Sequence, residues 1–153
     1  MRSLLLFTAL AISVLAPPVA GAQSSSLVGT WRRISQLDSA GTTIQPPNPP
    51  AYTTFTADGQ YSTIAIPAGR AKVQKPWAEM SREELQALVQ RVNVHRGTYT
   101  TSGNTVTRTM VTNLDPLAEG EKITQSFRFS GDTLAFNSTG PASKAGARLV
   151  RVR

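Results

Sequence analysis

Apolar and polar residues alternate along most of this chain, and turn-forming residues break the alternation at short intervals. Leu27-Val28-Gly29-Thr30-Trp31-Arg32-Arg33-Ile34-Ser35 opens a strand that reaches Gln36. Ala51 to Thr56 and Gln60 to Ile66 flank Ala57-Asp58-Gly59, and an Asp-Gly between β-rich runs is a strong hairpin signal. Arg96 to Thr101 and Thr105 to Thr112 are joined by Ser102-Gly103-Asn104. Glu121 to Phe129 and Thr133 to Ser138 are joined by Ser130-Gly131-Asp132, and Arg148-Leu149-Val150-Arg151-Val152-Arg153 ends the chain. Eight strands in hairpin order predict an all-β fold, an eight-stranded antiparallel up-and-down barrel.

The first and last strands are expected to seal that barrel. Gly29 leaves room for a close approach where a strand bends, and Trp31, on the same face, is large enough to plug one end. Arg151 or Arg153 from the last strand could lie flat on the indole, a cation–π contact of about 1 kcal/mol. Gly29, Trp31 and Arg153 are therefore the barrel-closing set.

One helix interrupts the strands. Ser81-Arg82-Glu83-Glu84 fits a capping box, and Leu85, Leu88, Val89 and Val92 follow as an apolar stripe expected to pack on the barrel. Leu37 to Pro50, with Pro46-Pro47-Asn48-Pro49-Pro50, reads either as a lid over one barrel mouth or as a solvated linker.

Alternation also sorts the interior. Ile123, Gln125, Phe127 and Phe129 share one face, Leu134 and Phe136 point inward on the next strand, and Val106 and Met110 flank Arg108. Phe55 points inward, with either Tyr61 or the pair Ile64 and Ile66. Small residues at Ser62, Thr98, Thr107 and Ala135 favour a hollow interior, and a barrel of eight strands either fills itself or holds one small ligand. An inward Arg108 needs an anionic or carbonyl partner, either internal, such as Glu121, or a ligand carboxylate. The pocket-lining candidates are Phe55, Tyr61, Tyr99, Arg108, Met110, Gln125, Phe127, Phe136 and Arg151.

Composition narrows the function. Met1-Arg2-Ser3, the apolar run Leu4 to Ala16 and Ala20-Gly21-Ala22 make an export signal over residues 1–22, leaving residues 23–153 as one domain in the periplasm or outside the cell. The apolar run is too short for a membrane span, which takes about 20 residues. The formal net charge of +7 comes from scattered rather than clustered basic residues, which argues for solubility or an acidic partner and against nucleic acid. With one His and no Cys, neither a metal site of His and Cys nor a thiol nucleophile can be built. No catalytic residue, metal or cofactor is expected, and the chain reads as a monomer rather than an enzyme. The leading reading is a binder of a small hydrophobic or amphipathic molecule. The alternatives are an envelope interaction protein with a filled barrel and basic surface, or a metal-free pocket enzyme of isomerase or cyclase type.

Leu27-Val28-Gly29-Thr30-Trp31-Arg32, Gly97-Thr98-Tyr99, Asn104-Thr105-Val106, Leu114-Asp115-Pro116 with Gly120, and Leu149-Val150-Arg151-Val152-Arg153, taken in this order, resemble the lipocalin-like domain family of small bacterial and fungal proteins. The resemblance implies an eight-stranded barrel with an interior site. Two positions depart from the family: Arg108 stands where a His is usual after the Thr-Val pair, and Arg151 where a Trp often precedes the terminal Arg. The departures imply a more cationic pocket that favours an acidic ligand.

Overall fold

The computed structural model describes residues 26–44, 51–67, 69–70, 72–90, 92–140 and 144–153. The export segment and the proline-rich stretch of the expected lid lie outside these residues. The strands are β1 (Gly29–Leu37), β2 (Thr43–Ile44), β3 (Tyr52–Phe55), β4 (Gln60–Ala65), β5 (Asn93–Ser102), β6 (Thr105–Asn113), β7 (Lys122–Ser130), β8 (Thr133–Ser138) and β9 (Gly146–Arg151), with helix α1 (Arg82–Val89) between β4 and β5.

From β3 to β9 each strand pairs antiparallel with the next, and β1 pairs with β3 on one side and β9 on the other. Eight strands therefore close into a barrel. The two residues of β2 extend the sheet beside the far end of β1, where Gln36 faces Ile44. The last strand begins at Gly146 rather than Arg148, and β5 at Asn93 rather than Arg96. The helical stripe that runs on to Val92 hides the start of β5 in the sequence. No helix among the described residues is long and apolar enough to cross a membrane.

The two barrel ends differ. One gathers the tight hairpin turns and the start of β1, and it is sealed. Trp31 is 1% exposed, and its Nε1–H donates to the Leu27 carbonyl at 2.7 Å. The Arg151 guanidinium lies 4.3 Å from the indole centroid and donates to the carbonyls of Val28 (2.8 Å) and Ser26 (2.7 Å). Gly29 makes this possible: its φ is +131°, and a Cβ there would lie 2.5 Å from Arg151 Nη1. The other end carries the last residues of β1, β4, β6 and β8 and the first of β3, β5, β7 and β9, and forms the mouth.

Above the plug the core is aromatic. Phe55 packs edge-on to Tyr99 at 5.0 Å and beside Phe136 at 6.1 Å, and Leu134, Val106 and Leu149 fill the gaps. Tyr61 takes the inward position, 2% exposed, because the register sets it opposite Phe55; Ile64, 49% exposed, points outward. Two expectations need correction. The capping box of α1 forms in full, but Leu88 is the buried residue of that helix, Val89 is exposed, and Leu88 stands apart from the barrel core. At eight residues, α1 is too short to lay its whole stripe on the wall. Ser62, Thr98, Thr107 and Ala135 all lie on the outward alternation, where the Thr107 hydroxyl meets that of Thr124 at 3.1 Å, so they say nothing about a hollow interior.

Arg153 is also corrected: it pairs with Asp132 on the surface, so Arg151 alone of the two closes the barrel. Two charge-assisted hydrogen bonds and a cation–π contact predict that Arg151→Met lowers stability by about 3 kcal/mol. Arg153→Met, breaking an exposed pair, changes it by less than about 1 kcal/mol. Urea unfolding of the two variants checks the contrast, and equal losses would contradict this account of closure.

Candidate functional site

The arginines take the positions that set the site's character. All nine Asp and Glu residues lie in turns, loops or the helical segments. The strands carry Arg32, Arg33, Arg96, Arg108, Lys122, Arg128, Arg148 and Arg151, and no acid. Most of these cations point to solvent or seal the plug. Arg33 and Arg108 instead face a half-open cavity of about 220 Å³ in the mouth half of the barrel.

Arg108 enters from β6 between the buried Val106 and Met110. Its guanidinium carbon lies 5.5 Å from the Tyr61 ring centroid and 5.7 Å from that of Phe136, so it rests on the aromatic core as on a floor. Nη2 donates to Gln125 Oε1 on the adjoining β7 at 2.5 Å, and Nε is buried with no hydrogen-bond partner among the described residues. The internal partner is thus the Gln125 amide and not Glu121, which is exposed beyond the start of β7. Burial lowers the Arg108 pKa, Tyr61 opposes that shift and Arg33 adds to it, although an arginine stays charged throughout.

Arg33 reaches the same space from β1. Its Nη1 donates to Gln36 Oε1 at 2.6 Å, and burial lowers its pKa. Residues three apart in a regular strand face opposite sides. Here β1 carries one extra residue, Ile34, between Arg33 and Ser35 relative to β9, and the bulge returns Gln36 to the inside. Thr53 and Thr63, both buried, share a hydroxyl hydrogen bond of 3.1 Å on the cavity wall.

His95 completes the polar ring. Its Nδ1 lies 3.3 Å from the Tyr61 hydroxyl, and the two rings meet edge-on at 5.5 Å. Burial, then the charges of Arg108 and Arg33, push its pKa down from 6.5 to about 4, so it is neutral at pH 7. Among the described residues no group of three or more His, Asp or Glu is placed to hold a metal ion.

Of the candidates named from the sequence, Arg108, Gln125 and Phe136 line the cavity. Phe55, Tyr61 and Met110 are buried in the core around it. Phe127 is half-buried against Phe129, and Tyr99 lies near the sealed end with its hydroxyl donating to the Thr56 carbonyl. Arg151 is not a pocket residue; it is committed to Trp31 at the sealed end. Arg33, Gln36, Thr53, Thr63 and His95 line the cavity and were not among those candidates. Arg33 had a signal, since it lies two residues beyond Trp31 and shares its face.

His95 makes stability pH-dependent. The unfolded chain protonates it near pH 6.5 and the folded one near pH 4, so between these values the unfolded state binds more protons and stability falls as pH drops. Glu83 and Glu84, both held below the usual carboxylate range, contribute lower down. The urea midpoint is expected to fall from pH 7 to pH 5, with a shallower fall in His95→Gln. Identical slopes would contradict the assignment.

No family model and no curated protein matches the sequence. The fold does have solved counterparts. A lipocalin-like protein from Bacteroides uniformis superposes with a TM-score of 0.50 at 14% identity, covering 82% of this chain and 98% of that one. An uncharacterized protein from Bacteroides eggerthii gives 0.52 at 8% identity, covering 83% and 100%. Closed topology, strand count and these likenesses together establish that the chain has the lipocalin-like fold.

Proposed function

We propose that this chain is an exported, monomeric binding protein that holds one small, amphipathic and acidic molecule in the mouth half of its barrel. The observation that carries the reading is the cavity itself, open at the mouth, closed below by aromatic rings, and lined on one side by polar side chains and on the other by Ile123, Phe136, Ala147 and Leu149. Convergent polar groups over an apolar floor are what a small-molecule site needs. Binding rather than turnover fits the neutral, tyrosine-paired His95 and the absence of carboxylates from the strands.

A second reading has its own observation. A larger groove of about 620 Å³ runs over β1, β2 and β7 to β9, where Arg128, Arg148, Thr133 and Asn137 occupy outward positions. That basic face suits contact with an anionic envelope surface.

Native mass spectrometry and solvent extraction of the protein purified from an exporting host test the first reading. A bound small molecule in one-to-one ratio is expected, on a chain beginning at Gln23. A thermal-unfolding screen of organic acids and neutral apolar compounds gives a second measure, since ligand at a hundredfold its Kd stabilises by about 2.7 kcal/mol. A chain that keeps Met1 overturns the export proposal. An empty extract together with a flat screen overturns interior binding.

A further inference from the structure

Two guanidinium groups share one cavity, and among the described residues no acid neutralises either. Each is held by a glutamine amide oxygen, Gln36 for Arg33 and Gln125 for Arg108. An amide carbonyl fixes the direction of a guanidinium while leaving its charge intact, whereas a carboxylate in the same place would cancel that charge. A guanidinium has five N–H donors, and the Arg108 Nε is buried without an acceptor among the described residues. Burying like charges without a counter-ion costs stability, and the cost is recovered when an anion enters.

We propose that the cavity is a receptor for the carboxylate of a compact organic acid, bound head-inward between Arg33 and Arg108. The proposal rests on the interior-binding reading above and specifies its ligand class. The carboxylate has two oxygens in one plane and accepts from guanidinium forks side by side. Phosphate sites typically draw on free backbone N–H groups at a helix N-terminus or nest, and the strand ladders occupy the N–H groups here. The aromatic faces of Tyr61 and Phe136 under Arg108 also favour a singly charged head over a doubly charged one, which is harder to desolvate.

Size limits the rest of the molecule. A space of about 220 Å³ lies below the roughly 300–1,000 Å³ of drug-sized sites. It suits a compact body, smaller than a drug-sized ligand. The floor of Tyr61 and Phe136 stops a longer chain from running deeper, so a long alkyl tail would have to leave through the mouth. His95, neutral and bonded to Tyr61, adds a hydrogen-bonding edge without adding a third positive charge.

Calorimetric titration of the exported chain with benzoate, hexanoate, palmitate, phenyl phosphate and the neutral benzamide tests the proposal. Benzoate and hexanoate are expected to bind at least tenfold more tightly than benzamide, palmitate and phenyl phosphate. Arg33→Gln and Arg108→Gln are each expected to cost tenfold or more in benzoate affinity, while Arg96→Gln, exposed on the outer wall of β5, leaves it unchanged. Unfolding of the ligand-free variants is an independent readout. Removing either inward arginine relieves repulsion and raises the urea midpoint, whereas a purely structural arginine would lower it. Equal binding of benzamide and benzoate overturns the carboxylate receptor but leaves interior binding standing, and so does a preference for phenyl phosphate. Arginine variants with a lowered midpoint and unchanged benzoate affinity also overturn it. Failure of every compound, with nothing co-purifying, overturns both readings.

Discussion

The pairing of β1 with β9 is the constraint on which everything else rests, because it turns a ribbon of hairpins into a cylinder and gives the chain an inside. That pairing runs from Trp31 opposite Arg151 to Leu37 opposite Gly146. At its lower end Arg151 covers the indole and ties down the residues before β1, so a single side chain links the closing strand, the plug and the entry to the barrel. Closure removes the strand edges that a sheet this size would otherwise expose. It stabilises the fold without a disulfide, since the sequence holds no cysteine.

The cylinder is divided along its length. The lower half is packed solid with Trp31, Phe55 and Leu134; the upper half trades apolar contact for Arg33, Arg108, Gln125 and a buried threonine pair. Stability and recognition therefore occupy different heights of the same strands. Gly97 shows how tightly the wall is drawn where the halves meet. The β5–β6 register slips beside it, and a Cβ there would fall 1.9 Å from the Thr109 carbonyl oxygen.

Closure was legible in the sequence because its parts are local and chemically distinctive: a Gly-x-Trp opening, Asp-Gly and Ser-Gly turns, and a basic final strand. Inward faces followed wherever alternation ran unbroken, as in Val106–Arg108–Met110 and on β7. The cavity was less legible for three separate reasons. Gln36 is turned inward by a bulge that leaves no mark in the pattern of apolar residues. His95 falls between the helical stripe that ends at Val92 and the strand expected from Arg96, yet it belongs to β5. Tyr61 and Ile64 both suit a core position, and only the cross-strand register with Phe55 separates them.

The bulge at Ile34 also decouples two properties that a regular strand would bind together. Excising that one residue would restore an unbroken ladder while leaving Trp31, Arg33 and Gln36 on their present sides. What would change is the local coil of the strand, which a bulge increases. The aperture of this barrel can thus be adjusted by the insertion or loss of one outward residue, with the chemistry of its lining untouched.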